Sequence, residues 1–324
     1  MASASESPPT PRESPRQQCA DAVLMVKPCG FGFNPDTAAT NAFQKAPLAP
    51  DPHAQSLALQ EFEQLARALT AEGVEVCVAE DSAQPPKPDA VFPNNWLSFH
   101  ECGTLVLYPL AHRSRRAERR QEVIDAAVRK FNFKVKHFLD LTGFESQGKY
   151  LEGTGSLVLD HCERIAYACV SARTDPQLVR EWARELKYEP VLFSATDRSA
   201  VPLYHTNVCL WIGARVAVVA AEAIAAADRE RVLASLTRSG REVICIGQGE
   251  LEHFAGNMLE LATWDEALGD ARVLVMSENA RRALEPRVFA QLSGCTDTVL
   301  SVPVPTIERL GGGSVRCMLA EVFR

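Results

Sequence analysis

Several features that would indicate particular protein classes are missing from this 324-residue sequence. No stretch approaches the roughly 20 apolar residues of a membrane-spanning helix. There is no CxxC pair and no HxxxH spacing, which argues against a zinc enzyme. No GxGxxG motif follows a predicted strand, so the dinucleotide-binding fold lacks its main sequence feature. We therefore predict no membrane association, no metal and no cofactor.

Positive charge is also scarce. The chain has 34 Lys and Arg residues against 41 Asp and Glu residues, a formal net charge of -7. Nucleic-acid binding needs a basic face to neutralise phosphates, so we predict no nucleic-acid partner. The exception is the arginine cluster Arg113–Arg120. Read at helical spacing, it predicts a solvated helix face, with binding of an anionic partner as the alternative.

Ten cysteines lie scattered along the chain without a signal peptide, which predicts a reduced, cytoplasmic protein. Residues 1–20 begin with a segment rich in Ser, Pro and Glu, and we predict that they form a disordered tail. Residues 21–324 are then expected to form a single domain. The sequence leaves open whether the protein forms a homo-oligomer.

Apolar periodicity predicts an α/β fold built from repeats. Short apolar runs typical of strands surround five segments with helical periodicity, and the order strand, strand, helix, strand recurs five times. We expect these units to surround a pseudo-fivefold axis, which would bring loops from every unit to one central opening. The predicted helices are 54–72, 116–131, 176–186, 228–239 and 278–292.

Cys317 is the first candidate for chemistry because it follows three consecutive glycines and precedes the apolar run Met318–Phe323. Glycines permit positive φ and a close approach to a ligand. Arg316 and loop N–H groups could favour the reactive thiolate. The alternative is that Cys317 is one more small buried apolar residue.

A cysteine nucleophile needs an imidazole to move protons and a carboxylate to orient the imidazole or share its work. His205 and Glu152 supply these groups, each at a strand–loop junction. Taken singly, Glu152 could be a turn or capping residue and His205 a core histidine. Asn94 and Asn95 could be turn formers. The combination is more specific than any of its members.

The motifs that carry these residues resemble those of the pentein, or guanidino-group-modifying, superfamily. Within it, the chain most resembles the arginine-deiminase-related proteins described as citrulline-utilisation hydrolases. The resemblance covers roughly residues 22–324 and implies a pentein α/β-propeller of five ββαβ-type repeats. The motifs are FPNNW, YLEGTGS, YHTN, FAGNM and GGGSVRCM.

The resemblance also implies roles for individual residues. Cys317 would be the nucleophile, His205 the general acid and base, and Glu152 would bind the substrate's nitrogen and assist proton transfer. A small amino-acid substrate would be bound by a further set, in which Asn257 could instead be a turn residue and Arg316 a surface residue. This set is Phe92, Asn94, Asn95, Asn207, Asn257 and Arg316, with Asp89, Asn34 and Arg309 as further candidates for the amino-acid end.

The chain departs from arginine deiminases at three positions. Asn95 and Asn207 stand where those enzymes carry aspartates that grip the guanidinium, and Gly155 stands where relatives often carry an acid. A guanidinium offers only donors, whereas a neutral ureido group has an oxygen that can accept from an amide N–H. The amides thus predict hydrolysis of citrulline to ornithine, ammonia and carbon dioxide through a covalent Cys317 intermediate.

Two alternatives remain at this stage. One is an arginine or acyl-arginine deiminase or dihydrolase. The other, of a different class, is a non-catalytic pentein that only binds a partner, although the intact set of Cys317, His205 and Glu152 argues against it.

Overall fold

A computed structural model describes residues 17–49, 51–265 and 269–324. Residues 1–16 of the predicted disordered tail therefore lie outside the described residues. Residues 17–20 are described, and Gln18, Cys19 and Ala20 are buried. The Gln18 side chain donates hydrogen bonds to the carbonyls of Leu159 and Ile212, at 3.0 and 3.2 Å. The packed part of the chain thus begins before residue 21, the predicted boundary.

The described residues form strands and helices in alternation. The strands are β1 (Ala22–Lys27), β2 (Glu75–Glu80), β3 (Leu97–Phe99), β4 (Thr104–Leu107), β5 (His137–Asp140), β6 (Val158–Asp160), β7 (Ile165–Cys169), β8 (Glu189–Phe193), β9 (Leu210–Ile212), β10 (Val216–Val219), β11 (Glu242–Cys245), β12 (Leu259–Asp265), β13 (Gly269–Ser277), β14 (Thr298–Val302) and β15 (Ala320–Val322).

The α-helices are α1 (Pro35–Ala38), α2 (Ala54–Ala71), α3 (Arg113–Arg116), α4 (Gln121–Lys130), α5 (Gly153–Ser156), α6 (Pro176–Leu186), α7 (Ala226–Arg238), α8 (Gln248–Leu251), α9 (Glu278–Ala283), α10 (Pro286–Cys295) and α11 (Pro305–Gly311). Short 3-10 helices cover Pro93–Asn95, Thr142–Gln147, Thr206–Val208, Ala221–Ala223 and Val315–Met318.

The strands share one pairing pattern. A first strand runs antiparallel to a second, and a helical segment leads from the second to a third strand that runs parallel to it. This holds for β3–β4–β5, β6–β7–β8, β9–β10–β11 and β12–β13–β14. β15, β1 and β2 pair in the same way, although β15 follows all other strands in sequence. The predicted α/β fold is confirmed, while the arrangement of these units about one axis stays a prediction.

β15 joins two of these units into one sheet. It pairs antiparallel with β1 and parallel with β3, where Val322 lies opposite Phe99. The resulting six-stranded sheet has the order β2-β1-β15-β3-β4-β5. The strand that follows Cys317 is therefore held between neighbours on both sides.

Two predicted helices are each divided in the structure. The predicted helix 116–131 is replaced by α3 and α4, because Arg120 takes an extended conformation with φ -121° and ψ 131°. The predicted helix 278–292 is replaced by α9 and α10, since Pro286 disfavours a helical conformation at the residue before it and begins a new helix. Helix α6 has the predicted bounds: the Asp175 side chain accepts from two N–H groups of its first turn.

Helices bury one face against the sheets. On α2, Phe62, Leu65 and Leu69 pack in a cluster with residues of β1, β12 and β13. On α6, Leu178 and Trp182 do the same against β4 and β7. None of the helices in the described ranges is long and apolar enough to cross a bilayer.

The α2 interface provides a stability test with an internal control. Leu65 is fully buried and Leu57, on the same helix, is 40% exposed. We expect Leu65→Ala to lower the free energy of unfolding by about 2–5 kcal/mol, because it removes buried methyl groups and leaves a cavity. Leu57→Ala should change it by less than about 0.5 kcal/mol. Urea denaturation followed by circular dichroism measures both, and equal losses would contradict this packing.

Candidate active site

The polar residues singled out in the sequence share one structural position. Each lies in the short turn that precedes the first strand of a unit, and several of these turns contact one another. All these side chains are buried. They are Asn94 and Asn95 before β3, Glu152 before β6, His205 and Asn207 before β9, Asn257 before β12, and Cys317 before β15.

Cys317 lies in the 3-10 helix before β15 and is 2% exposed. The glycines before it are not a free loop: Gly311 ends α11, and Gly312 closes this helix with φ +63°, which favours glycine. The Cys317 sulfur receives side-chain N–H groups from Asn257 at 3.4 Å and from Asn207 at 3.6 Å.

His205 and Glu152 form a direct pair. His205 Nε2 lies 2.9 Å from Glu152 Oε2, and both side chains are almost fully buried. The other carboxylate oxygen of Glu152 accepts the backbone N–H of Ala111 at 3.0 Å. Glu152 is thus directed at the imidazole and does not line the pocket that contains Cys317.

Charges around this pair determine its protonation. Burial alone would raise the pKa of Glu152, but Arg173, His205 and Arg115 overcome it and hold that pKa well below its usual range. Burial lowers the pKa of His205 to about 4, against the opposing effect of Glu152. At neutral pH the carboxylate is therefore ionised and the imidazole neutral. Because an ionised carboxylate only accepts, Nε2 carries the ring proton and Nδ1 is the free acceptor.

Arg115 is a site residue that the sequence analysis did not identify. It belongs to the cluster expected to be a solvated helix face, yet its side chain is only 2% exposed. Its guanidinium binds Glu118 with two hydrogen bonds, at 2.9 and 2.8 Å, and lies 3.7 Å from Glu152. The cluster is therefore not one solvated face. The sequence does not show which arginine of the cluster is buried. Arg115 differs from the others in its contacts with Glu152 and Asp89, which are distant in sequence.

Arg173 and Tyr204 were also not identified. Arg173 follows β7, lies 3.5 Å from Glu152 and donates to the carbonyl of Thr37 at 2.9 Å. Tyr204 stacks against His205, its neighbour in sequence, and donates to the carbonyl of Gly312. An aromatic residue next to a catalytic candidate is the one signal that the sequence offered for Tyr204.

One small pocket contains the sulfur, the imidazole and both arginines. Phe92, Asn95 and Asp89 form part of its wall, and the binding roles expected for them stay predictions. Asp89 Oδ1 is buried and has no hydrogen-bond partner within residues 17–49, 51–265 and 269–324. The described residues that line the pocket are Thr37, Asn41, Asp89, Phe92, Asn95, Arg115, Arg173, Tyr204, His205, Gly311, Gly312, Gly313 and Cys317.

Several predicted binding residues lie elsewhere. Asn94 is buried behind the pocket wall, where its Oδ1 accepts from Asn95 at 3.0 Å. The Arg316 guanidinium is held by the carbonyl of Leu319 at 2.9 Å and by Glu321 at 2.7 Å, and Arg316 lines a separate cavity. Arg309 pairs with Asp51 near the surface. Asn34 reaches the site indirectly, through Asp89 at 2.7 Å.

The His205–Glu152 pair predicts an unusual titration. Because burial lowers the pKa of His205 to about 4, its ring should stay neutral through the pH at which an ordinary histidine, with a pKa near 6.5, gains a proton. NMR titration measures this, with a His205→Gln variant to assign the resonance. In Glu152→Gln the pKa should fall further, since the carboxylate favours the protonated ring. Titration near 6.5 in the native protein would contradict the pairing.

The sequence of this chain matches a family of known proteins. The sequence matches the family described as N,N dimethylarginine dimethylhydrolase, eukaryotic, over residues 27–324. A search among curated proteins finds no match.

Solved structures show the same fold at low sequence identity. The N-terminal domain of ArgZ, an arginine dihydrolase from the ornithine-ammonia cycle in Cyanobacteria, aligns in its substrate complex with a TM-score of 0.71 and 17% identity, over 94% of this chain and 99% of that chain. A longer ArgZ chain, in its apo structure, aligns with a TM-score of 0.70 and 16% identity over 93% of this chain, which spans only 40% of that chain.

A dimethylarginine dimethylaminohydrolase bound covalently to S-methyl-L-thiocitrulline aligns with a TM-score of 0.64 and 16% identity, over 93% of this chain and 99% of that chain. The family match covers a similar share of the sequence, residues 27–324. The chain therefore belongs to the N,N-dimethylarginine dimethylhydrolase family and is a hydrolase of the pentein superfamily, as its motifs predicted.

Proposed function

We propose that this protein hydrolyses the ureido group of a citrulline-like amino acid, with Cys317 as the nucleophile, His205 as the general acid and base, and Glu152 as the residue that orients His205. The observation that carries this proposal is the orientation of the Asn95 amide in the pocket wall. Arg115 Nη1 donates to Asn95 Oδ1 at 2.8 Å.

A guanidinium has no acceptor, so the group that Asn95 turns towards Arg115 must be its carbonyl. The Asn95 NH2 group then points away from Arg115, and one of its hydrogens is donated to Asn94 Oδ1 at 3.0 Å. The wall beside the nucleophile thus offers an N–H donor. A ureido oxygen can accept that hydrogen bond, whereas a guanidinium presents only N–H groups and would be left unpaired.

The charges of the pocket favour a neutral reacting group as well. Glu152 is occupied by His205, Ala111, Arg173 and Arg115. Two arginines line the pocket against one carboxylate, Asp89. A buried cation needs carboxylate partners to offset its loss of hydration, and Asp89 is the single carboxylate among the described residues that line this pocket.

The same groups fit the amino-acid end of the substrate. The unpaired oxygen of Asp89 suits an α-ammonium group, and the pocket arginines suit an α-carboxylate. Arg115 lies 3.8 Å from Asp89, so the two charges stabilise each other when the pocket is empty.

The proposed reaction balances with water as the only co-substrate. His205 takes the Cys317 proton, the sulfur attacks the ureido carbon, and the carbon–nitrogen bond breaks as His205 returns the proton to the leaving amine of ornithine. Water then attacks the carbamoyl-thioester and gives a proton to His205, and as the carbon–sulfur bond breaks His205 returns this proton to the Cys317 sulfur. The released carbamic acid decomposes to ammonia and carbon dioxide. Proton transfer of this kind contributes about 10²–10⁴-fold to rate.

An arginine dihydrolase is the second candidate. It is favoured by the fold shared with ArgZ and with AgrE, which has been crystallised with L-arginine. Arginine, acyl-arginine or a methylated arginine would each bring a cationic group to the Asn95 wall. A non-catalytic binding module is disfavoured by the buried Cys317, His205 and Glu152 set.

We further infer that the five strand units surround one pseudo-fivefold axis, since the turns that carry the site residues occupy equivalent positions in each unit and contact one another. We also infer a single catalytic domain in a reduced, cytoplasmic protein. Its partner would be a small amino acid.

The substrate proposal is tested by incubating the purified protein separately with L-citrulline, L-arginine and N,N-dimethyl-L-arginine. We expect ornithine, ammonia and carbon dioxide from citrulline, at a kcat/KM about a hundredfold or more above that for arginine, because a site built for one hydrogen-bonding pattern rejects the other. Cys317→Ser should abolish turnover, and the control Cys102→Ser, at an exposed cysteine, should not. Ammonia release from arginine but not from citrulline would refute the amide argument.

Gly155 provides a test of the catalytic geometry. A Cβ at this position would lie 2.5 Å from Asn95 Nδ2 and 2.7 Å from His205 Nδ1. We expect Gly155→Ala to displace one of these side chains and to lower kcat about a hundredfold with a small change in thermal midpoint. Gly143→Ala, in another short helix with nothing within 4 Å of its added methyl group, is the matched control. Equal activities of the two variants would contradict the proposed roles.

A further inference from the structure

The Cys317 sulfur lies against two side-chain amides that the sequence analysis assigned to substrate binding. Asn257 Nδ2 is 3.4 Å from the sulfur, and Asn207 Nδ2 is 3.6 Å from it. All three residues are at most 2% exposed. Neither asparagine lines the Cys317 pocket. Both amides therefore face the nucleophile rather than the space that a substrate would occupy.

The orientation of the Asn257 amide is fixed by two backbone groups. The N–H of Arg316 donates to Asn257 Oδ1 at 3.1 Å, and Asn257 Nδ2 donates to the carbonyl of Asn207 at 2.9 Å. A backbone N–H only donates and a backbone carbonyl only accepts, so a reversed amide would lose both hydrogen bonds. The second hydrogen of the NH2 group is thereby available to the sulfur.

The thiol could instead donate to Asn257 Oδ1, which is 3.8 Å from the sulfur. That oxygen also accepts the Arg316 N–H, and it lies farther from the sulfur than Nδ2 does. Asn207 shows the same order, with Nδ2 at 3.6 Å and Oδ1 at 4.0 Å. Both amides thus approach the sulfur with their donor ends, which matches a sulfur that accepts, as a thiolate does.

We propose that Asn257 is a catalytic residue that stabilises the Cys317 thiolate, with Asn207 as the second arm of an amide cradle. The inference rests on the proposed function only in taking Cys317 as the nucleophile. Preorganised donors aimed at a developing negative charge act strongly in a buried site. Neutral amides do this without adding a full positive charge beside the sulfur, so the thiolate keeps more of its nucleophilicity.

The proposal predicts the reactivity of Cys317 in the absence of any substrate. Asn257→Asp keeps the size of the side chain and an oxygen for the Arg316 N–H, but it removes the donor that faces the sulfur. We expect alkylation of Cys317 by iodoacetamide at neutral pH to slow about tenfold, the effect of losing one hydrogen bond to a charged group. Peptide mass spectrometry at timed intervals distinguishes Cys317 from the other nine cysteines.

If Asn257 had a purely structural role, its substitution would change the alkylation rate of Cys317 in the opposite direction. Loosening the turn around Cys317 would expose a buried sulfur, so alkylation would become faster. Alkylation that is unchanged or faster in a folded Asn257→Asp protein would therefore overturn the proposal. Asn132→Asp, at a loop position with φ +50°, is the control for the amide-to-acid change and should react at the native rate.

Two further measurements keep the test decisive. If Asn257→Asp does not fold, as judged by its thermal transition, Asn207→Asp repeats the experiment on the other arm of the cradle, and a native or faster rate there would overturn the proposal. Because no substrate is present, a failure of the citrulline assay does not affect this outcome. Slower alkylation in a protein inactive on citrulline would support the cradle and reject only the substrate assignment.

Discussion

The site depends on one buried carboxylate, that of Glu152. Moving an ion of this kind out of water is costly, and a group with a single partner would be protonated or excluded from the interior. Here the cost is offset by four partners: the His205 ring, the Ala111 N–H, Arg173 and Arg115. The partners come from three segments, since Ala111 and Arg115 both lie between β4 and α4, so the carboxylate connects parts of the chain that are distant in sequence.

The arginines that satisfy Glu152 have a second effect. Arg115 is committed to Glu118 and Asp89 as well, and it determines which end of the Asn95 amide faces the pocket. Arg115 therefore acts on two groups at once. Through Glu152 it influences the protonation of His205, and through its hydrogen bond to Asn95 it sets which amide group faces the pocket. A substitution of Glu118, which does not line the pocket, would therefore alter the hydrogen-bonding groups of the pocket wall through Arg115.

Much of the fold was readable from local pattern. Helix α6 has its predicted ends because Asp175 caps its first turn and Lys187, at φ +59°, closes it. The divided helices were missed because helical periodicity continues across Arg120 and across Pro286, where the backbone does not follow it.

The candidate site was readable only in part. Cys317, His205, Glu152 and Asn95 stand at strand boundaries with polar residues that apolar packing does not explain. Arg115 and Arg173 have no such mark: Arg173 is paired with Glu152, and Arg115 is paired with Glu152 and Asp89 as well as with the nearby Glu118. Asn257 was identified, but its orientation depends on backbone groups of Asn207 and Arg316, which no sequence spacing reveals.

The pairing of β15 has a consequence for how the molecule is assembled during synthesis. Until this strand is in place, β1 and β3 both have open edges, and the imidazole and its carboxylate have no sulfur beside them. A chain that lacks β15 therefore has two exposed strand edges, a form that can pair with other chains. Because Cys317 lies directly before β15, the same pairing that closes the sheet also brings this thiol to the site.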